Sequence, residues 1–330
     1  MKKKQTAIVT GGAGFIGSHM VDLLLSKNFK VIVIDNLSGG HLNNIKQHLK
    51  NKDFNLKKID ITKSINIKNF KKIDYIFHFA GIGDIIPSIE KPTDYMMTNV
   101  QGTVNILEVA RKMNIKKLVY AASASCYGKT KNIVTEKNKI FLEHPYALSK
   151  YLGERAAFHW HKVYGLPVNA IRIFNAYGPR VRTTGAYGAV IGVFFKQKIS
   201  QKPLTIVGNG KQSRDFVHVT DVVRAFYRAA LVKRSGEFFN IGTGNPQTVN
   251  YLAKLVGGKT INIPNRPGEP IRSCANITKA KNILGWKPLM RFDQGIKEML
   301  NEINKWKDAP LWTPNKIKNV TKNWFNYLKK

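Results

Sequence analysis

The stretch VTGGAGFIGSH, residues 9–19, restricts the fold more than any other part of the chain. Before it, the apolar run TAIVT (6–10) reads as a buried strand, and after it the apolar periodicity predicts a helix over roughly 14–27. Gly12, Gly14 and Gly17 fit a G-x-G-x-x-G spacing, and Gly11, Gly14 and Gly17 fit a G-x-x-G-x-x-G variant. Glycines at these places allow a tight turn and close approach of the backbone. The helix start presents N–H groups and a positive dipole. Such a turn suits a pyrophosphate.

The same rhythm continues down the chain. VIVID (31–35), DYIFHF (74–79), KLVYAA (117–122) and VNAIRIF (168–174) read as buried parallel strands, with helices predicted at 93–113 and 146–164. Strand–helix repetition of this kind predicts an α/β fold, a Rossmann-type doubly wound parallel sheet. After Asn175, glycines and prolines punctuate shorter segments, so a smaller mixed α/β domain that binds the substrate is expected. The expected division is 1–175 and 214–244 for the dinucleotide-binding domain and 176–213 and 245–305 for the smaller one. Residues 306–330 read as an added amphipathic helix after a proline-containing linker.

Several residues fall where such a fold meets its cofactor. Asp35 ends the second strand, 18 residues past Gly17. A carboxylate there accepts hydrogen bonds from adenosine ribose hydroxyls and repels a 2′-phosphate, which predicts NAD rather than NADP. KIDIT places Asp60 and Ile61 after the third strand, where an adenine edge could rest. FHFAG places Phe79, Ala80 and Gly81 after the fourth, beside the cofactor.

A second constellation carries proton chemistry. Tyr146 and Lys150, in HPYALSKYLGE, are four residues apart and share one helix face. An ammonium one turn away is expected to lower the tyrosine pKa from its usual value of about 10, making it a general base near neutral pH. YAASASCYG follows the fifth strand and offers Ser123 and Ser125, either of which could hydrogen-bond a substrate hydroxyl and relay its proton.

Charge and cysteines narrow the remaining classes. There are 54 basic and 20 acidic residues, a net charge of +34. The lysines are scattered from Lys2 to Lys330, with no basic block and no aromatic-interleaved motif. A solvated basic surface that steers anionic ligands is expected, not nucleic-acid binding. Cys126 and Cys274 have no metal-ligand spacing, so no metal is expected, and their number suits a reducing cytoplasm. No apolar run reaches about 18 residues, so no membrane span is expected.

TGGAGFIGSH, HFAG, TNVQGTVNILEVAR, YAASASCYG, PYALSKYLGE, RIFNAYGPR, GNGKQSRDFVHVTDV and RPGEP stand in this order along the chain. Over about residues 5–305 the sequence resembles the extended short-chain dehydrogenase/reductase superfamily, in its nucleotide-sugar epimerase/dehydratase branch. The resemblance implies that Ser123 is the catalytic serine, Tyr146 the base and Lys150 its partner. It extends the NAD contacts to Phe15, Ile16, Asn36, Asn99 and Ile173. It assigns Asn175, Arg214, Arg266 and Glu269 to the nucleotide diphosphate, and Ser88 with Ser123 and Ser125 to the substrate. In resembling epimerases the seventh residue after the arginine of RPG gates the sugar pocket. Here that is Ser273, which implies room for a 2-acetamido group.

Within the branch, dehydratases and decarboxylases resemble one another in carrying a carboxylate after the active-site serine or threonine. Here Ala124, Ser125 and Cys126 supply none. The resemblance then implies NAD-dependent 4-epimerisation of a UDP-sugar or related nucleotide sugar (glucose/galactose, N-acetyl or uronate forms). A dehydratase, decarboxylase or reductase of the family is the alternative, and a non-catalytic nucleic-acid-binding Rossmann protein a remote one. It also implies a homodimer through helices 93–113 and 146–164, with Ile106, Leu107, Phe158 and Trp160 as apolar residues beyond one face.

Overall fold

The computed structural model describes residues 3–130, 132–183, 190–265 and 270–328. The first part of the chain runs β1 (Thr6–Thr10), α1 (Phe15–Ser26), β2 (Lys30–Asp35), β3 (Phe54–Lys58), β4 (Tyr75–His78), α2 (Ile85–Glu90), α3 (Pro92–Met96), α4 (Gly102–Lys112), β5 (Lys117–Ser123), α5 (Pro145–Tyr164) and β6 (Val168–Ile173). Then come β7 (Asn175–Tyr177), α6 (Val190–Ile199), β8 (Leu204–Val207), β9 (Ser213–Arg214), β10 (Phe216–His218), α7 (Val219–Leu231) and β11 (Glu237–Ile241). The chain continues through β12 (Gln247–Thr248), α8 (Val249–Val256), β13 (Thr260–Ile263), α9 (Thr278–Leu284), α10 (Phe292–Asn301), α11 (Pro314–Val320) and α12 (Lys322–Leu328).

Seven strands form one parallel sheet in the order β11-β6-β5-β4-β1-β2-β3. Strand order reverses between β1 and β4, so their carboxyl ends open a crevice there. Alternation along each strand decides which face a residue serves. Ala7, Val9, Phe77 and Val119 pack with Met20 and Leu24 of α1 and Phe226 of α7 on one face. Ile8, Ile76 and Leu118 pack with Ile106 and Leu107 of α4 and Ala157 of α5 on the other. Both faces are covered, which is why these strands read as continuous apolar runs. FNLKK of β3 has only two apolar residues, as suits an edge strand with half of its surface wet.

A third core lies beyond the sheet. Phe194, Phe195, Leu252, Ile296, Met299, Trp306 and Trp324 pack together, around the two-stranded pair β8–β13. Ala275, Ile277, Ala280, Leu284 and Trp286, although within the stretch 245–305, belong to the core on the sheet's α7 side.

Three expectations change in detail. The helix expected at 93–113 is α3, a π-helical turn over Met97–Gln101, and α4. The single helix expected in the last 25 residues is two, α11 and α12, divided at Thr321, whose hydroxyl donates to the Ile317 carbonyl at 2.7 Å. Ile106 and Leu107 are fully buried within the chain, Phe158 packs edge-on to Phe238, and the Trp160 indole N–H donates to Glu108 at 2.7 Å. Ile106 and Leu107 therefore pack internally, whereas Phe158 and Trp160 are half-buried. Among the described residues no helix is long and apolar enough to cross a membrane.

Candidate functional site

The glycine turn lies between the end of β1 and the start of α1. Gly11 has φ +66°, and a Cβ on it would stand 2.7 Å from the Ala80 nitrogen. A Cβ on Gly17 would stand 2.1 Å from the Gly11 carbonyl oxygen, so α1 can pack against the turn only with glycine there. Gly14 caps α1 with no side chain, and Phe15 and Ile16 follow in its first turn. The first-turn N–H groups are thus not covered by a capping side chain.

Asp35, Asn36 and Asp60 gather at the ends of β2 and β3. The Asp35 carboxylate accepts from the Ala13 N–H at 2.9 Å and the Leu37 N–H at 2.8 Å, which holds it against the glycine turn. Asp60 accepts from the Thr62 N–H and hydroxyl at 2.9 and 2.8 Å, and these bonds lower its pKa. Ile61 is buried and packs on Gly102, where a Cβ would come within 2.6 Å of it.

Beyond β4, Phe79 lies 4.5 Å from the ring of Phe226, and the Ala80 N–H donates to the Thr10 hydroxyl at 3.1 Å. A Cβ on Gly81 would stand 2.8 Å from Asn99 Oδ1 and 3.7 Å from Lys150 Nζ. The loop, the π turn and α5 converge at that point. Asn99 is fully buried; its oxygen accepts from the Ile82 N–H at 2.8 Å, and its amide donates to the Ile82 carbonyl at 3.0 Å and to Ser149 Oγ at 2.9 Å. It ties the loop after β4 to the catalytic-candidate helix.

Ser123 ends β5 and Tyr146 opens α5. The Tyr146 hydroxyl donates to Ser123 Oγ at 3.3 Å, and Ser123 and Ser125 share a hydrogen bond at 2.9 Å. His144 caps α5 by accepting the Ala147 N–H at 3.1 Å, and its ring lies parallel to that of Tyr146, 5.9 Å between centroids. Burial raises the Tyr146 pKa, offset in part by the bond to Ser123 and reinforced by Asp84. Burial lowers that of Lys150 to about 8. The Lys150 ammonium lies 4.6 Å from the centre of the Tyr120 ring. The expected lowering of the tyrosine pKa by Lys150 is thus absent from this arrangement. Desolvation outweighs the spacing.

Tyr146, Ser123, Ser125, Ile173, Asn175, Arg214 and Ser273 line one cavity of about 480 Å³. It runs from the end of β5 to the third core. Arg214 donates to the Pro270 carbonyl at 2.7 Å, and the Ser273 N–H donates to the Ser213 carbonyl at 3.1 Å, which sets the chain near 273 beside β9. Ser88 does not join them. It is fully buried, and its hydroxyl donates to the Ile85 carbonyl at 2.6 Å inside α2. Arg266 and Glu269 lie outside the described residues.

The cavity wall also holds residues that sequence reasoning missed. Asp84 and Arg182 line it, and Trp312 and Trp324 reach it from the C-terminal segment. No spacing rule marks any of them, because they come from parts of the chain far apart in sequence: the loop after β4, the loop after β7 and the C-terminal segment. His144 had a signal: it directly precedes the helix-opening Pro145.

A family model described as the NAD dependent epimerase/dehydratase family matches residues 7–242. A putative UDP-glucose 4-epimerase of Methanocaldococcus jannaschii is 38% identical over 302 residues, covering 89% of this chain and 97% of that protein. The crystal structure of UDP-glucuronic acid 4-epimerase from Bacillus cereus, in complex with UDP-glucuronic acid and NAD, is similar with a TM-score of 0.85. It is 28% identical and covers 91% of this chain and 99% of its own. The UDP-N-acetylglucosamine 4-epimerase of Methanobrevibacter ruminantium, in complex with UDP-N-acetylmuramic acid, is similar with a TM-score of 0.84. It is 30% identical and covers 93% of this chain and 99% of its own. With the family model spanning most of the chain and the glycine turn, Asp35 and the Ser123–Tyr146 pair in place, the chain belongs to the NAD-dependent epimerase/dehydratase family.

Proposed function

We propose that this protein interconverts C4 epimers of a UDP-sugar, with NAD as its resident cofactor. The hydrogen bond from Tyr146 to Ser123 on the cavity wall carries the reading. The residues around the crevice fit the cofactor. The uncapped start of α1 offers N–H groups to a pyrophosphate, and the Asp35 carboxylate stands at the β2 end for ribose hydroxyls.

Ser123 accepts a hydrogen bond from Tyr146 and would relay the sugar 4-hydroxyl proton to it. When bound, oxidised NAD supplies the hydride acceptor at C4 and adds its positive charge to that of Lys150. Lys150 remains largely cationic below its pKa of about 8. A 4-keto sugar held by its pyrophosphate at Arg214 and Asn175 would be free to turn about that link and present its other face for reduction. Tyr146 then returns the proton. Ala124, Ser125 and Cys126 place no carboxylate beside the sugar, which argues against dehydration and decarboxylation. Arg214 and Asn175 serve the diphosphate, and Ser273 leaves room for a 2-acetamido group.

The same reading divides the molecule into a cofactor-binding sheet domain and a sugar-binding region around the third core. It also includes a homodimer through 93–113 and 146–164, where Met97 and Leu152 are exposed. Light scattering tests the dimer, and a monomer removes it.

Proton NMR of the protein incubated separately with UDP-glucose and UDP-N-acetylglucosamine, with no cofactor added, tests the activity. Galacto-configured signals without net NADH formation are expected. Tyr146→Phe is expected to lose roughly 10²–10⁴-fold in rate. Absence of conversion, net NADH turnover, or a Tyr146→Phe protein at nearly normal rate each overturns the assignment.

A further inference from the structure

We propose that Asp84 is a specificity residue that sets the sugar pocket for uncharged sugars and against uronates. The inference rests on the epimerase reading and deepens it.

Asp84 lies between the loop after β4 and α2, and it lines the same cavity as Tyr146, Ser123 and Ser273. Its backbone is strained, with φ 74° and ψ 126°. A non-glycine residue in such a region costs about 1–3 kcal/mol and persists only where its surroundings enforce it. Tyr95 does the enforcing. Its hydroxyl bonds to the Gly83 carbonyl and to the Asp84 carbonyl at 2.9 Å, and its ring meets that of Tyr146 edge-on at 6.3 Å. The strained turn is thus braced against the proposed base itself.

The strain has a visible consequence. Aspartate before a helix ordinarily turns back to cap it, but Asp84 makes no side-chain cap to α2. Its carboxylate is left to the cavity. Desolvation there raises its pKa, and Arg182, which lines the same cavity, counteracts the rise. Asp84 lies near enough to Tyr146 to raise the hydroxyl's pKa as well.

Two opposite charges therefore line the cavity that holds Tyr146, and Arg182 partly offsets the rise in the Asp84 pKa. Sugar hydroxyls and an acetamido N–H are donors that a carboxylate accepts. A uronate brings a second carboxylate into the cavity that Asp84 lines. Like charges beside one another in the same cavity repel, and the solvent that reaches the exposed Asp84 and Arg182 weakens that repulsion without removing it. The structurally similar Bacillus cereus protein was solved with UDP-glucuronic acid, so the fold admits a uronate. The preference against it in this chain is assigned to one side chain.

The test measures two quantities for the intact protein, Asp84→Asn and Asp84→Gly. One is the ratio of kcat/KM for UDP-glucuronate to that for UDP-glucose. The other is the ratio of their calorimetric dissociation constants. Glycine also relieves the positive φ, so a fold lost through asparagine would not blind the experiment; thermal unfolding reports on both variants. The wild type is expected to favour UDP-glucose at least tenfold in both ratios. Each variant is expected to move both ratios towards the uronate by tenfold or more. A wild type that favours UDP-glucuronate overturns the inference, as does a change of less than twofold in both variants. If the sugars bind with the expected discrimination but none is turned over, the epimerase reading falls and the role of Asp84 in binding stands. If turnover occurs and the ratios do not move, only the role of Asp84 falls.

Discussion

Tyr146 shows how much of a side chain's chemistry lies outside its own spacing in the chain. The i, i+4 relation to Lys150 is real and puts both on one face of α5. Burial nevertheless raises the tyrosine pKa and lowers that of the lysine, because both charged forms lose solvent in the same place. Lowering the tyrosine pKa again requires further positive charge, which is what a bound oxidised dinucleotide would provide. Ser273 is the simplest residue to interrogate, since it stands on the cavity wall beside Ser213. Ser273→Tyr is expected to lower kcat/KM for UDP-N-acetylglucosamine relative to UDP-glucose by roughly 10–200-fold, the range of small steric discriminations. Equal effects on both sugars would show that residue 273 does not gate the 2-acetamido group.

Among the elements, α5 does the most positioning. Tyr146, Lys150 and Glu154 recur every four residues and turn inward together. Glu154 forms a buried two-pronged pair with Arg172 of β6, at 2.8 and 2.6 Å. Arg172 is flanked by the rings of Phe238 and Tyr127, 4.1 and 4.9 Å from their centres. Gly153 allows α5 to approach the π turn, for a Cβ there would stand 2.7 Å from the Asn99 carbonyl oxygen. The helix is thus fixed in rotation by the ion pair and in depth by the glycine. Glu154→Gln leaves the Arg172 guanidinium buried without its counter-charge. A loss of about 3–5 kcal/mol in urea unfolding is expected. A loss below about 1 kcal/mol would show that the aromatic rings and Tyr127 alone hold the arginine.

For the molecule as a whole, the buried His78 and His218 and the half-buried His144 resist protonation in the folded state and weaken the fold in acid. His78 bridges Thr10 and Thr103 at 2.6 and 3.0 Å, and burial lowers its pKa to about 3. Burial lowers His144 and His218 to about 4. Above the unfolded value of about 6.5 each is neutral in both states. As pH falls below that value the unfolded chain takes protons that the folded one refuses. Stability is then lost progressively until the folded values are reached. Three such groups give a slope of up to about 4 kcal/mol per pH unit near pH 5. The urea midpoint is expected to fall steeply between pH 7 and pH 5. A flat profile would show that these histidines take up protons in the folded state.

The pattern of residues determined the sheet, the glycine turn and the order of functional residues along it, because these follow from periods of two and 3.6 and from local backbone requirements. Gly11, Asp35, Ser123, Tyr146 and Lys150 could be named in this way. The edge strand β3 and the break at Thr321 were less legible, since a half-wet strand and a short helix carry weak apolar signals. Ser88 was misplaced because its position in the chain does not say which way a helix face turns. It points into α2 rather than the cavity. Asp84, Arg182, Trp312 and Trp324 could be gathered only by tertiary structure, as their elements are far apart in sequence and meet across one cavity. Local sequence determined which groups could do chemistry. Only packing decided which of them share a space without water, and that sharing sets their charges and their partners.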